Sequence, residues 1–96
     1  MIIHIALFKF KSDISKEEID SAMVEVRALK DKIPQVLEIS AGENFSKHSQ
    51  DFTHAIVVKF ASKEDIDSYR THPDHKPVAD KLDLIEEDSI GIDFEV

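Results

Sequence analysis

The sequence predicts a single α+β domain with its elements in the order βαββαβ. Three observations predict it. Four stretches carry side chains with the two-residue alternation of a strand. One long stretch between the first two strands repeats its apolar residues at the 3.6-residue period of a helix. Two helical segments, one capped by Ser62 and one opened by Pro73, separate the third strand from the fourth.

Ile2 to Phe10 reads as the first strand. Ile3, Ile5 and Leu7 alternate with His4, Ala6, Phe8 and Phe10. Both sets are largely apolar, so both faces of this strand are expected to be covered. Ser15-Lys16-Glu17-Glu18 is a capping-box sequence and opens a helix. Its apolar stripe is Ile19, Ala22, Met23, Val26, Leu29 and Ile33, and Pro34 ends it. Val36 to Phe45 reads as a weaker strand, in which Gly42 suggests a bulge or a close backbone approach. After a polar turn, Ser46 to Asp51, the stretch Phe52 to Ala61 alternates clearly, with His54, Ile56, Val58 and Phe60 on one face. Ser62 caps a short helix to about Arg70, with Ile66 and Tyr69 inward. His72-Pro73 breaks it, and Pro73 suits the first position of a further helix to Leu84 or Ile85. Glu86-Glu87-Asp88 reads as a solvated charge run before a last strand, Ser89 to Val96, with Ile90, Ile92 and Phe94 on one face.

This order is the ferredoxin-like arrangement: a four-stranded antiparallel sheet with its helices on one face. The helices leave the other face bare, although the first strand is apolar on both sides. A second copy of the same face is the simplest cover, so a homodimer is expected.

With 96 residues the chain is expected to form one domain, 1–96. A net charge of −8 with no basic stripe argues against nucleic acid as a partner. There is no cysteine, hence no disulfide framework and no thiolate zinc site. The opening residues lack the basic start of a signal peptide, and no run is long enough to span a membrane. A cytoplasmic location without membrane contact is the expectation.

Five histidines stand out. His4 and His54 lie on strands and share parity with apolar residues that point toward the helices. The plainer reading of each is a core-edge histidine with a backbone partner. Tyr69 lies on the inner side of one helix, and His75 falls in the first turn of the next. The positive end of a helix disfavours imidazolium, so His75 is expected to be neutral near pH 7 and able to take a proton. A buried phenol beside it is a hydrogen-bond donor for a carbonyl or enolate oxygen. Together they are apparatus for proton abstraction next to a carbonyl; the plainer alternative is packing for Tyr69 and a loop role for His75. His72, Asp74 and His75 do not make a metal site, because the proline breaks the helical spacing and no distant ligand is evident. His48 in the polar turn is expected to be solvated.

At this point the chain resembles the stress-responsive A/B barrel (Dabb) family. The resemblance is carried by His4-Ile5-Ala6-Leu7-Phe8-Lys9-Phe10-Lys11, Lys32-Ile33-Pro34 and Ala41-Gly42-Glu43-Asn44. It continues through Phe52-Thr53-His54-Ala55, Tyr69 with His72-Pro73 and His75, and Ile92-Asp93-Phe94. It implies a dimeric α+β barrel in which two ferredoxin-like units bring their sheets together. One branch of the family comprises polyketide cyclases that work by intramolecular aldol condensation. By that analogy His75 is the base, Tyr69 the oxyanion donor, and His4 and His54 orient the substrate. The first helix departs from that branch: it offers Ala22, Met23 and Val26 to the pocket where the cyclases place bulky aromatics.

Three functions follow as expectations. The first is a homodimeric stress-associated protein with an apolar His/Tyr-lined pocket for a small organic ligand, without cofactor or metal. The second is a cyclase-like lyase using His75 and Tyr69. The third is a cofactor-free monooxygenase of the kind found in other dimeric α+β barrels.

Overall fold

A computed structural model describes residues Met1–Val96. Strand β1 (Ile2–Phe10) lies at the centre of the sheet, with β3 (His54–Phe60) on one side and β4 (Glu86–Glu95) on the other. Strand β2 (Glu38–Glu43) borders β3, so the order is β2-β3-β1-β4 and every neighbouring pair is antiparallel. Helices α1 (Lys16–Lys32), α2 (Lys63–Arg70) and α3 (His75–Ile85) complete the ferredoxin-like βαββαβ fold.

Alternation decides which face is which. The even-numbered residues of β1 and β3 point toward the helices, and Ile2, Phe8, Ile56, Val58 and Phe60 are buried there. Helix α1 lays Ala22, Met23, Val26 and Leu29 onto this layer. Ser15 starts that helix by accepting the main-chain N–H of Glu18 at 3.1 Å. Ser62 caps α2 in the same way through Asp65 N–H. Phe60, Leu29, Ile33, Val26 and Val58 are the largest wholly buried side chains.

The outer face carries Ile3, Ile5 and Leu7 of β1 beside Val57 of β3, and Ile90, Ile92 and Phe94 of β4. Those three β4 residues are each more than two-fifths exposed. Ile5 stands opposite Ile92, and Leu7 opposite Ile90. The strand that reads as apolar on both faces is therefore covered by helices on one face only.

Several expected boundaries move. Strand β2 is shorter than Val36–Phe45: Val36 turns into the core, held by its N–H on Ile33 carbonyl, and Phe45 leaves the sheet fully exposed. Gly42 makes no bulge; it continues the regular pairing opposite Ala55, with open space around it. The irregularity in the sheet falls instead between Lys9 and Phe10, against β4. Helix α3 starts at His75 rather than Pro73, because His72 carbonyl accepts His75 N–H at 3.0 Å and holds the Pro73 segment as a turn. Glu86-Glu87-Asp88 is the start of β4, not a lead-in to it: Lys11 N–H donates to Ile85 carbonyl at 2.9 Å and pairing begins at once.

Candidate functional site

Between the sheet and the helices, toward β4, lies a hollow of about 180 Å³. Its apolar walls include Ala6 and Phe8 from β1, Val26 and Leu29 from α1, Ile56 from β3 and Leu82 from α3. Its polar residues are His4, Tyr69, His75 and Ser89, together with the acids Asp83 and Glu86.

Tyr69 and His75 meet because one lies in the last turn of α2 and the other begins α3. The Thr71–Asp74 turn between them folds back through His72 N–H on Tyr69 carbonyl. Their rings sit 4.5 Å apart, edge to face, and the other side of Tyr69 packs on Phe60 at 5.1 Å. Tyr69 is buried, which pushes its phenol up to about 12. It therefore stays protonated at neutral pH and serves as a donor. Burial also holds the His75 imidazole below its ordinary value, with the Arg70 main chain opposing the shift. The neutral ring expected from the helix terminus is thus favoured mainly by loss of water.

His4 is held from behind. Its Nδ1 lies 2.5 Å from Asp93 Oδ1, and Asp93 Oδ2 accepts a hydrogen bond from Arg70 at 3.0 Å. Burial pushes the Asp93 carboxyl up, but the hydrogen bonds from His4 and Arg70 outweigh this and hold it below the usual carboxylate range. A carboxylate only accepts, so the proton between the two groups belongs to Nδ1 and a neutral His4 keeps its free lone pair on Nε2. The sequence pattern alone does not single out Asp93 or Arg70. The available signal is parity: Asp93 is a polar residue on the side of β4 opposite Ile90, Ile92 and Phe94, in a strand that borders β1 in this topology.

The structure brings His4, Tyr69, His75 and Val26 together around the hollow. His54 shares the face with His4 but not the hollow. It pairs with Phe8, four residues along β1 from His4, or about 13 Å. Phe10 packs its edge on His54 at 5.1 Å, and Thr53 Oγ1 lies 2.8 Å from His54 Nδ1. It faces a separate hollow with Lys16, Asp20 and Glu43. Met23 is buried in the core and does not line the site. His48 is exposed, and His72 and Asp74, 3.8 Å apart, have no third ligand beside them.

The sheet order, the helices on one face and a hollow walled by both define a ferredoxin-like α+β domain. Within that class, the chain belongs to the stress-responsive A/B barrel domain family, whose model matches residues 2–96. It is similar to two stress-response A/B barrel domain-containing proteins of Arabidopsis thaliana, at 31% identity to one and 38% to the other. Each match covers 98% of this chain but only 46% and 36% of those relatives, so the chain spans less than half their length. Among solved structures, an Arabidopsis thaliana protein superposes with a TM-score of 0.92 at 26% identity, over 100% of this chain and 95% of the other. A dimeric ferredoxin-like protein of unknown function from Bacteroides fragilis superposes at 0.81 and 28%, over 99% and 95%. The hydroxynitrile lyase of Passiflora edulis shares the fold at 0.93 with 21% identity, over 99% and 92%. No helix is long and apolar enough to cross a membrane.

Proposed function

We propose that the hollow binds a small carbonyl compound and that His75 and Tyr69 move a proton on it. The observation that carries this is the contact of the two rings at 4.5 Å at the wall of an apolar hollow, one a neutral base and the other a protonated phenol. His75 takes the proton from the carbon next to the carbonyl. The electron pair left behind moves onto the oxygen, which accepts a hydrogen bond from Tyr69. His4, fixed by Asp93, presents Nε2 as an acceptor that orients a hydroxyl or amide of the ligand.

Size favours a small ligand over an extended polyketide chain. About 180 Å³ is below the roughly 300–1,000 Å³ of pockets for drug-sized molecules. The aldol-cyclase reading uses the same two residues and needs a larger chamber. A cofactor-free oxygenase draws no specific support from the lining.

The protein works as a homodimer in this reading. The apolar outer face of β1 and β4 is the surface a second copy covers, in keeping with the dimeric description of the Bacteroides fragilis relative.

Exchange of the methyl protons of acetophenone for deuterium, followed by NMR, tests the chemistry. The protein should accelerate exchange. His75→Ala should abolish the effect, and Tyr69→Phe should reduce it by about 10²-fold or more while the fold melts nearly unchanged. Exchange that is indifferent to both substitutions refutes the proposal.

A further inference from the structure

We infer that Asp83 and Glu86 restrict the hollow to neutral or cationic ligands and are the specificity-determining pair of the site. The inference rests on the proposed ligand pocket and adds the electrical character of what enters it.

Of the residues that line the hollow, the only ones with ionisable side chains besides His4, His75 and Tyr69 are these two acids. Neither forms an ion pair. The two lysines of α3 are engaged elsewhere, Lys81 with Glu25 and Lys76 with Asp80, and Lys11, which the fold brings to the helix end, donates to the main-chain carbonyl of Leu84. Arg70, the guanidinium closest to the site's histidines, is already neutralised by Asp93. A ligand carboxylate or phosphate would find no free cation in the lining.

The backbone adds to this field. Asp83 lies in the last turn of α3 and Glu86 is its C-cap residue, at the end where main-chain carbonyls present partial negative charge. That turn contains no basic residue. An acid at this position works against the helix, so local stability does not account for it. Glu86 is itself half-buried, and burial together with the neighbouring Asp83 pushes its carboxyl up, as expected where negative charge is crowded. The exposed Asp83, the half-buried Glu86 and the helix end therefore border the hollow with one sign. The net charge of −8 extends that sign over the whole molecule.

Three matched ketones test the inference by binding rather than turnover: acetophenone, para-acetylbenzoate and the ammonium form of para-(aminomethyl)acetophenone, each titrated by calorimetry or NMR. The carboxylate should bind at least about tenfold more weakly than the neutral ketone at low ionic strength, and the ammonium at least as tightly. High salt should narrow both differences. Asp83→Asn with Glu86→Gln should bring the carboxylate to within about threefold of acetophenone. Carboxylate binding equal to or tighter than that of the neutral ketone overturns the inference and leaves the pocket reading intact. So does an unchanged gap in the double variant. Failure of acetophenone itself to bind overturns the pocket reading and this inference together.

Discussion

Asp93 holds His4 and Arg70 at once, with one carboxylate oxygen 2.5 Å from the imidazole Nδ1 and the other 3.0 Å from the guanidinium. The three residues come from β4, β1 and the end of α2, and the contact between His4 and Asp93 spans 89 positions of the chain. Its effect is to decide which nitrogen of His4 carries the proton.

Asp93→Asn tests that role. An amide can turn its NH2 toward Nδ1, which shifts the proton to Nε2 and removes the acceptor from the hollow. Nitrogen-15 NMR of His4 should report the change of tautomer. Binding of ligands that donate a hydrogen bond should fall by roughly tenfold, while stability changes by about 1 kcal/mol or less, since the pair with Arg70 is substantially exposed. An unaltered tautomer would remove Asp93 from the site.

Burial lowers the imidazoles of His54 and His75 below their ordinary value of 6.5. In the folded protein both resist protonation, so below that value the unfolded chain binds more protons and gains population. The stability these groups contribute is complete above pH 6.5 and declines as pH falls from there toward their folded values. Denaturant unfolding at about pH 7.5 and about pH 5.5 should show the loss, and His54→Gln and His75→Gln should each flatten the slope. The same shift places the acid limb of any His75-dependent exchange below pH 6.5. A limb above it contradicts the neutral-base assignment.

Ile92→Glu puts a charge in the middle of the outer face, opposite Ile5. In a dimer that buries this face the substitution should cost at least about 2 kcal/mol of assembly. Sedimentation should then show a single chain at micromolar concentration where the unaltered protein sediments as two. Because Ile92 is 43% exposed in one chain, the fold of the protomer itself should persist. A parent protein that is already a single chain would leave the outer face without its proposed partner.

Much of the fold was legible because period alone carries it. Alternation in β1 and β3 and the stripe from Ala22 to Leu29 report which side of each element meets the core, and Ser15 and Ser62 mark helix starts by accepting main-chain N–H groups that have no partner within the helix. Element edges were less legible. Whether Val36, Gly42 or Glu86 joins the ladder depends on what its neighbour offers across the sheet, which local preference does not report.

The site divides in the same way. Tyr69 and His75 are six positions apart, and the chain turn between them brings their rings together, so the sequence itself announces the pair. His4 with Asp93, and the separation of His54 from both, were decided by strand register. Register places Asp93 opposite His4 and Phe8 opposite His54. It is a property of two strands closing on each other through a whole buried face, not of either strand alone. By itself the sequence determined the order of elements, their inward faces and the family. Only the tertiary structure determined which polar groups share a hollow, because that depends on contacts between segments far apart along the chain.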